Sequence, residues 1–203
     1  MVTRLSNSTY YFLERKPSPW GDYGLLLEHG MGMMDRSKSA FHLRRTGPYI
    51  DPITLPVGEV VITEQLRMKL LDAGLAGVRC VPVVKDKIDT MDWENWDRRK
   101  RNPTVYPYNG TPENYIECGV HSEDSARRMG PLWALDLPVV AKVVRPKRGD
   151  VLPGNVKVDE GSLKELDVAV SREVLWPIIS RKALDVLRRE AGDRVRYIPC
   201  RLI

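Results

Sequence analysis

The chain has 203 residues, enough for one sizeable core or two tightly joined lobes, and its 42% hydrophobic and 29% charged content is that of an ordinary globular protein. No apolar run approaches the length a membrane span needs, and Met1–Thr9 lacks the apolar segment of a secretory signal, so the cytoplasm is the expected location. The formal charge of +5 gives a modest preference for acidic partners.

In chain order, Tyr10–Glu14 (YYFLE) reads as a first strand, aromatic and bounded by polar residues. Pro17–Gly24 is turn-rich and leads into the apolar run Leu25–Leu27. His29–Met34 (HGMGMM) contains a G-x-G without the strand-to-helix context of a dinucleotide fingerprint, so a flexible loop is expected there. Phe41–Arg45 alternates as a strand, and Pro48, Pro52 and Pro56 hold the next section extended or looped.

Residues Val61–Val83 (VITEQLRMKLLDAGLAGVRCVPV) then set a pattern that returns, without a gap, 117 positions later in Ile178–Cys200 (IISRKALDVLRREAGDRVRYIPC). The matched pairs include Ile62/Ile179, Thr63/Ser180, Leu70/Leu187, Val78/Val195, Arg79/Arg196, Val81/Ile198 and Pro82/Pro199. In each copy a β-branched run predicts a strand, and Thr63 or Ser180 predicts the cap of a helix. Leu66, Leu70 and Ala73 share one helical face, as do Leu184, Leu187 and Ala191. Glycines end or follow the helix, and a short strand closes at a proline.

After the first copy, Val83, Val84 and Ile88 continue a strand pattern into Met91–Asp97 and the basic run Arg98–Arg101. Asn102–Pro112 has three prolines and an Asn-Gly pair and is the most linker-like stretch. Ser122–Met129 predicts a short helix capped by Ser122, with two acids in its first turn. Leu132–Val144 reads as two strands interrupted at Pro138, Lys147–Gly161 as a loop or hairpin, and Leu166–Val170 as one more strand.

The expected fold is therefore α+β, with short, mostly antiparallel strands and two repeat-related strand-helix-strand units. An N-terminal half, residues 1–101, holds the first copy. An irregular crossing, 102–112, leads to a C-terminal half, 113–203, with the second, the whole forming one compact domain.

The stretch Val60–Val83, preceded by Leu55-Pro-Val-Gly-Glu59, resembles bacterial polymorphic-toxin immunity proteins, and Tyr10–Glu14 looks like their usual first strand. The likeness covers roughly the first hundred residues. One branch of such proteins carries two C-x-x-C-G motifs; this chain has none and does not belong to that branch. The resemblance implies a cytoplasmic antitoxin that binds and occludes the effector domain of a cognate toxin, with no cofactor and no catalytic residues. Membranes and nucleic acids are not expected partners, and association with a second copy is left open.

The residues themselves support a binding role. Asp92, Trp93, Glu94, Trp96 and Asp97, next to Arg98 and Arg99, put two large aromatics among acids and cations, a composition suited to an interface anchor with a polar rim. A core-capping role for the two indoles competes with that reading, on about level terms for Trp93 and ahead for Trp96. Nucleophile elbows, phosphate loops and paired metal ligands are missing from the sequence. Cys118-Gly-Val-His121 is expected to be a chance C-x-x-H, the carboxylates Asp150, Asp159 and Glu160 solvated, and Cys80, Cys118 and Cys200 buried thiols. Two rivals remain. One is a nucleic-acid-binding module using Arg98–Arg101 with Lys142, Arg145, Lys147 and Arg148, which lacks interleaved aromatics. The other is an enzyme whose site assembles only in space.

Overall fold

Residues 61–83 and 178–200 both fold as strand, helix, strand, and in both the reason is local. The computed structural model, which describes residues 9–18, 21–57, 59–90, 111–146 and 151–203, places the first as β5 (Val61–Thr63), α2 (Glu64–Asp72) and β6 (Cys80–Thr90). The second is β12 (Pro177–Ser180), α5 (Arg181–Ala191) and β13 (Val195–Pro199). Thr63 Oγ1 accepts the Leu66 N–H and Ser180 Oγ accepts the Ala183 N–H, each satisfying a donor that the first helical turn leaves free.

In neither unit do these two strands pair with each other. A strand from elsewhere in the chain lies antiparallel between them: β7 (Leu132–Leu135) in the first unit and β1 (Tyr10–Arg15) in the second. The registers agree position by position. Ile62 and Pro82 both face Trp133, as Ile179 and Pro199 both face Tyr11. Val61 and Val81 face Ala134, as Ile178 and Ile198 face Phe12.

The agreement continues outward. On one flank β4 (Ile53–Thr54) pairs with β5, and β11 (Val168–Ser171) pairs with β12. On the other flank β3 (Ala40–Gly47) runs parallel to β6 and antiparallel to β2 (Met31–Asp35). In the second unit β10 (Lys157–Val158) runs parallel to β14 (Arg201–Leu202), which follows β13, and antiparallel to β9 (Val143–Val144). The result is a six-stranded sheet β2-β3-β6-β7-β5-β4, a five-stranded sheet β13-β1-β12-β11-β8, where β8 is Val139–Ala141, and a small sheet β14-β10-β9. The fold is α+β. Antiparallel pairing dominates the described residues, with β3/β6, β10/β14 and β8/β11 parallel.

Alternation along these strands sorts the core into three clusters. Tyr11, Leu13, Ile62, Leu135 and Ile179 point into a shared core with Leu66 and Leu70 of α2 and Leu184 and Leu187 of α5. Phe12, Ala169 and Ile178 point the other way, into a cluster closed by Val143 and Val158. Phe41, Leu43, Val61, Ile88 and Ala134 form the third, beneath α4 (Glu123–Arg128). The units also grip each other: Asp167 Oδ2 accepts the Ala76 N–H at 2.8 Å in the loop after α2. Arg194, in the loop after α5, pairs with Asp51 at 3.3 Å.

Three expectations are corrected and one helix is added. His29–Met34 is no loop: α1 (Asp22–His29) takes up Leu25–Leu27 and ends at Gly30, whose φ of 79° turns the chain directly into β2. Gly32 then lets β2 lie close on β3, since a Cβ there would stand 2.3 Å from the His42 carbonyl oxygen. The strand of the first copy does not close at Pro82. It changes neighbour there, pairing with β7 up to Pro82 and with β3 from Val83 on. A helix not expected from the sequence, α3 (Pro112–Cys118), follows the 102–112 crossing. Finally, Cys118 is exposed because it ends that helix, while Cys200 is buried and Cys80 half-buried. The sheets do not divide the chain at the crossing, because β1 completes the C-terminal unit and β7 the amino-terminal one.

Candidate functional site

Asp92, Trp93, Glu94, Trp96, Asp97, Arg98 and Arg99 lie outside the described residues, as do Asp150, Lys147 and Arg148. Of the other residues singled out in the sequence, His121 is structural. Its Nδ1 accepts the Ile88 N–H at 3.0 Å and its Nε2 lies 3.3 Å from Glu123, an arrangement that ties the β6 edge to the start of α4. Asp159 and Glu160 open a 3-10 turn beside β10. Lys142 and Arg145 are exposed. No group of three or more His, Cys, Asp or Glu side chains suited to a metal ion occurs among the described residues.

A sizeable concavity instead lies where the two units meet. It is a cleft of about 520 Å³ assembled from segments far apart in sequence. The end of β1 supplies Leu13, Glu14 and Arg15, followed by Lys16 and Pro17; α1 supplies Leu25. The loop between β4 and β5 brings Leu55, Pro56, Val57 and Glu59, and the turn between β11 and β12 brings Val174, Leu175 and Trp176. Pro177 and Arg196 close it.

Its floor is fixed and its rim is apolar and exposed. Leu13 and Leu55 are buried, and Trp176 packs edge-on against Phe12 at 5.6 Å. Val57 and Leu175 stand on the rim at 61% and 59% exposure. Leu175 has φ of 53°, left-handed backbone that a branched side chain adopts at a cost of order 1–3 kcal/mol. The turn enforces it: the Leu175 N–H donates to Ser171 O at 3.0 Å, and Ser171 Oγ bonds the Glu173 carboxylate and backbone N–H. A strained leucine is thus held out into solvent at the mouth of a cleft.

The charges are unevenly matched. Arg196 pairs with Glu14 at 3.0 Å, whereas Arg15 and Lys16 have no ion pair among the described residues. Burial raises the pKa of Glu59; Arg36 opposes that shift and Asp136 adds to it. Among the described residues, neither hydroxyl, thiol nor imidazole lines the cleft. The lining thus sets apolar surface beside three cations and two carboxylates, Glu14 and Glu59.

No protein-family model matches the chain, and no curated protein does.

Behind the cleft a buried polar group holds its wall. His29 Nδ1 accepts the Leu55 N–H at 3.3 Å, and burial, with the charges of Arg15 and Arg45, lowers its pKa to about 3. Arg45 is fully buried yet well used: it donates to the carbonyls of Glu28, Thr46 and Tyr49, and Thr46 Oγ1 donates to Leu27 O. A cation and a hydroxyl therefore satisfy the last carbonyls of α1, where the helix dipole favours positive charge. Desolvation lowers Arg45 to about 10, still protonated at neutral pH.

Arg15, Val57 and Leu175 were not legible as a group, because their three separate segments meet only through the sheets. The available signal was weak: single apolar residues inside turn sequences, Pro56-Val57-Gly58 and Val174-Leu175-Trp176-Pro177.

Proposed function

We propose that this protein acts by binding, as an immunity protein that occludes the effector domain of a cognate bacterial toxin. The junction cleft carries this reading: a preformed apolar hollow with exposed Val57 and Leu175 on its rim and, beside it, the cations Arg15 and Lys16, which have no ion pair among the described residues. Such a site takes an aromatic or aliphatic anchor from a partner while cations meet carboxylates around it. The likeness of residues 55–83 to immunity proteins supports the same reading. The junction position adds to it, since a partner seated there would touch both units at once.

The test is co-expression with the product encoded immediately upstream. Restored growth and a stoichiometric complex are expected. Within that complex, Leu175→Asp or Arg15→Glu should weaken binding at least about tenfold, roughly 1.4 kcal/mol. A toxic neighbour that is neither neutralised nor bound would overturn the proposal. Full affinity in both variants would move the contact away from the cleft, and Trp93→Ala then tests the acidic-aromatic segment instead.

A further inference from the structure

The small sheet covers the five-stranded sheet with Val143, Val158 and Leu202 and turns the alternate residue of each strand outward. Those outward residues are Val144, Lys157 and Arg201, and they form one cross-strand row, with Lys157 opposite Val144 on one side and Arg201 on the other. Adjacent strands lie about 4.8 Å apart, so the two cations are held well within the roughly 10 Å over which salt screens charge. Like charges placed directly opposite weaken strand pairing. Lys142, exposed two residues before Val144, adds a third cation, and none of the three has a side-chain partner among the described residues.

The matched row of the first unit is built differently. It reads Met33, His42, Val84, and its central imidazole lies 2.8 Å from Asp86 and 4.0 Å from Asp35. The first row's imidazole is accompanied by carboxylates within ion-pair distance, whereas in the second Asp159 stands opposite Lys142 without an ion pair, and Lys157 and Arg201 have none among the described residues.

We propose that Val144, Lys157, Arg201 and Lys142 form a docking surface for an acidic protein segment carrying aliphatic side chains. Val144, 52% exposed, decides between polyanions. A phosphate backbone offers a valine no partner, and readers of single strands present stacking rings, which this row does not contain. Alternating carboxylates and aliphatic groups match both the cations and the valine. The surface shares no residue with the junction cleft, so it stands or falls separately from that site.

The full-length protein, isotopically labelled, would be titrated with a synthetic peptide alternating glutamate and leucine, and separately with duplex DNA, while amide shifts are followed by NMR. Saturable shifts at Lys142, Val144, Lys157 and Arg201 are expected with the peptide, weakening as salt is added. Lys157→Glu with Arg201→Glu should lower peptide affinity roughly tenfold with an unchanged melting curve. If that double variant misfolds, Lys157→Gln alone should still weaken binding severalfold. No shift in this row, shifts centred on Arg15 and Leu175, or undiminished binding by folded variants would overturn the proposal. DNA moving the same amides at lower concentration than the peptide would also overturn it and make the row a nucleic-acid surface.

Discussion

The two units share a register about their central strands, β7 and β1, and one core, but they secure it by different means. Leu55 in the first unit and Val170 in the second occupy matched positions just past Ile53 and Val168. The Leu55 N–H is satisfied by the His29 imidazole, the Val170 N–H by the Pro138 carbonyl at 2.9 Å. The helices differ as well. Helix α2 buries Leu66 and Leu70 and leaves Met68 and Leu71 exposed, while α5 buries Ala183, Leu184, Val186, Leu187 and Ala191. The Thr63 cap bond is long at 3.5 Å, whereas Ser180 accepts at 3.2 Å and also donates to Asp167, which in turn holds the loop after α2. A matched register thus does not require matched energetics. It needs apolar residues at the same strand positions and some partner for every buried N–H.

That contrast can be broken in four places. The largest effect is expected in the core, where Leu187→Ala should cost about 3–5 kcal/mol and Leu70→Ala about 2–4, by denaturant unfolding. Equal losses would show that neither helix dominates the shared core, and a larger one at Leu70 that α2 anchors it.

Acid should then single out the first unit. His29 stays neutral in the folded protein down to about 3 but titrates near 6.5 in an unfolded chain. Only the unfolded state takes up this proton between those values, so the stabilisation is complete above 6.5 and is lost as pH falls below it. The slope is at most about 1.4 kcal/mol per pH unit. His29→Asn keeps an acceptor for the Leu55 N–H and should flatten the slope; an unchanged acid profile in that variant would count against it.

The caps come next. Ser180→Ala should cost about 1–2 kcal/mol, because it also removes the hydroxyl that donates to Asp167 Oδ1, and Thr63→Ala about 0.5–1. Melting curves of the pair check the order. The smallest effect belongs to the cationic row, where Lys157→Thr should leave stability within about 0.5 kcal/mol of the parent or slightly raise it. The equivalent His42→Thr removes a carboxylate contact and should lower stability slightly.

Much of the scaffold was legible beforehand. The strand Tyr10–Glu14, the helix starts at Thr63, Ser122 and Ser180, the inward leucines and the break at Pro138 are written in nearest-neighbour chemistry: side-chain oxygens that cap, β-branched runs, and the 3.6-residue spacing of apolar groups. What misled was context. His29–Met34 reads as a loop because its glycines suit one, and becomes a strand edge only because β3 is there to pair with it. The Pro82 strand ends on propensity but continues because β3 takes over where β7 stops. Cys118 and His121 sit near each other in sequence, yet the imidazole serves the Ile88 N–H instead.

The amino-acid sequence by itself determined the α+β class, the position of each capped helix and the residues that face inward, since all of these follow from interactions over a few residues. Only the tertiary structure decided that β1 and β7 lie between the strands of units to which they are distant in the chain. It alone also brought Arg15, Val57 and Leu175 to one cleft and left Lys157 beside Arg201 without an ion pair among the described residues. The physical reason is common to all three. Pairing across a sheet depends on which backbone edge finds which, and that choice is made by burying the whole core, which no short window of sequence contains.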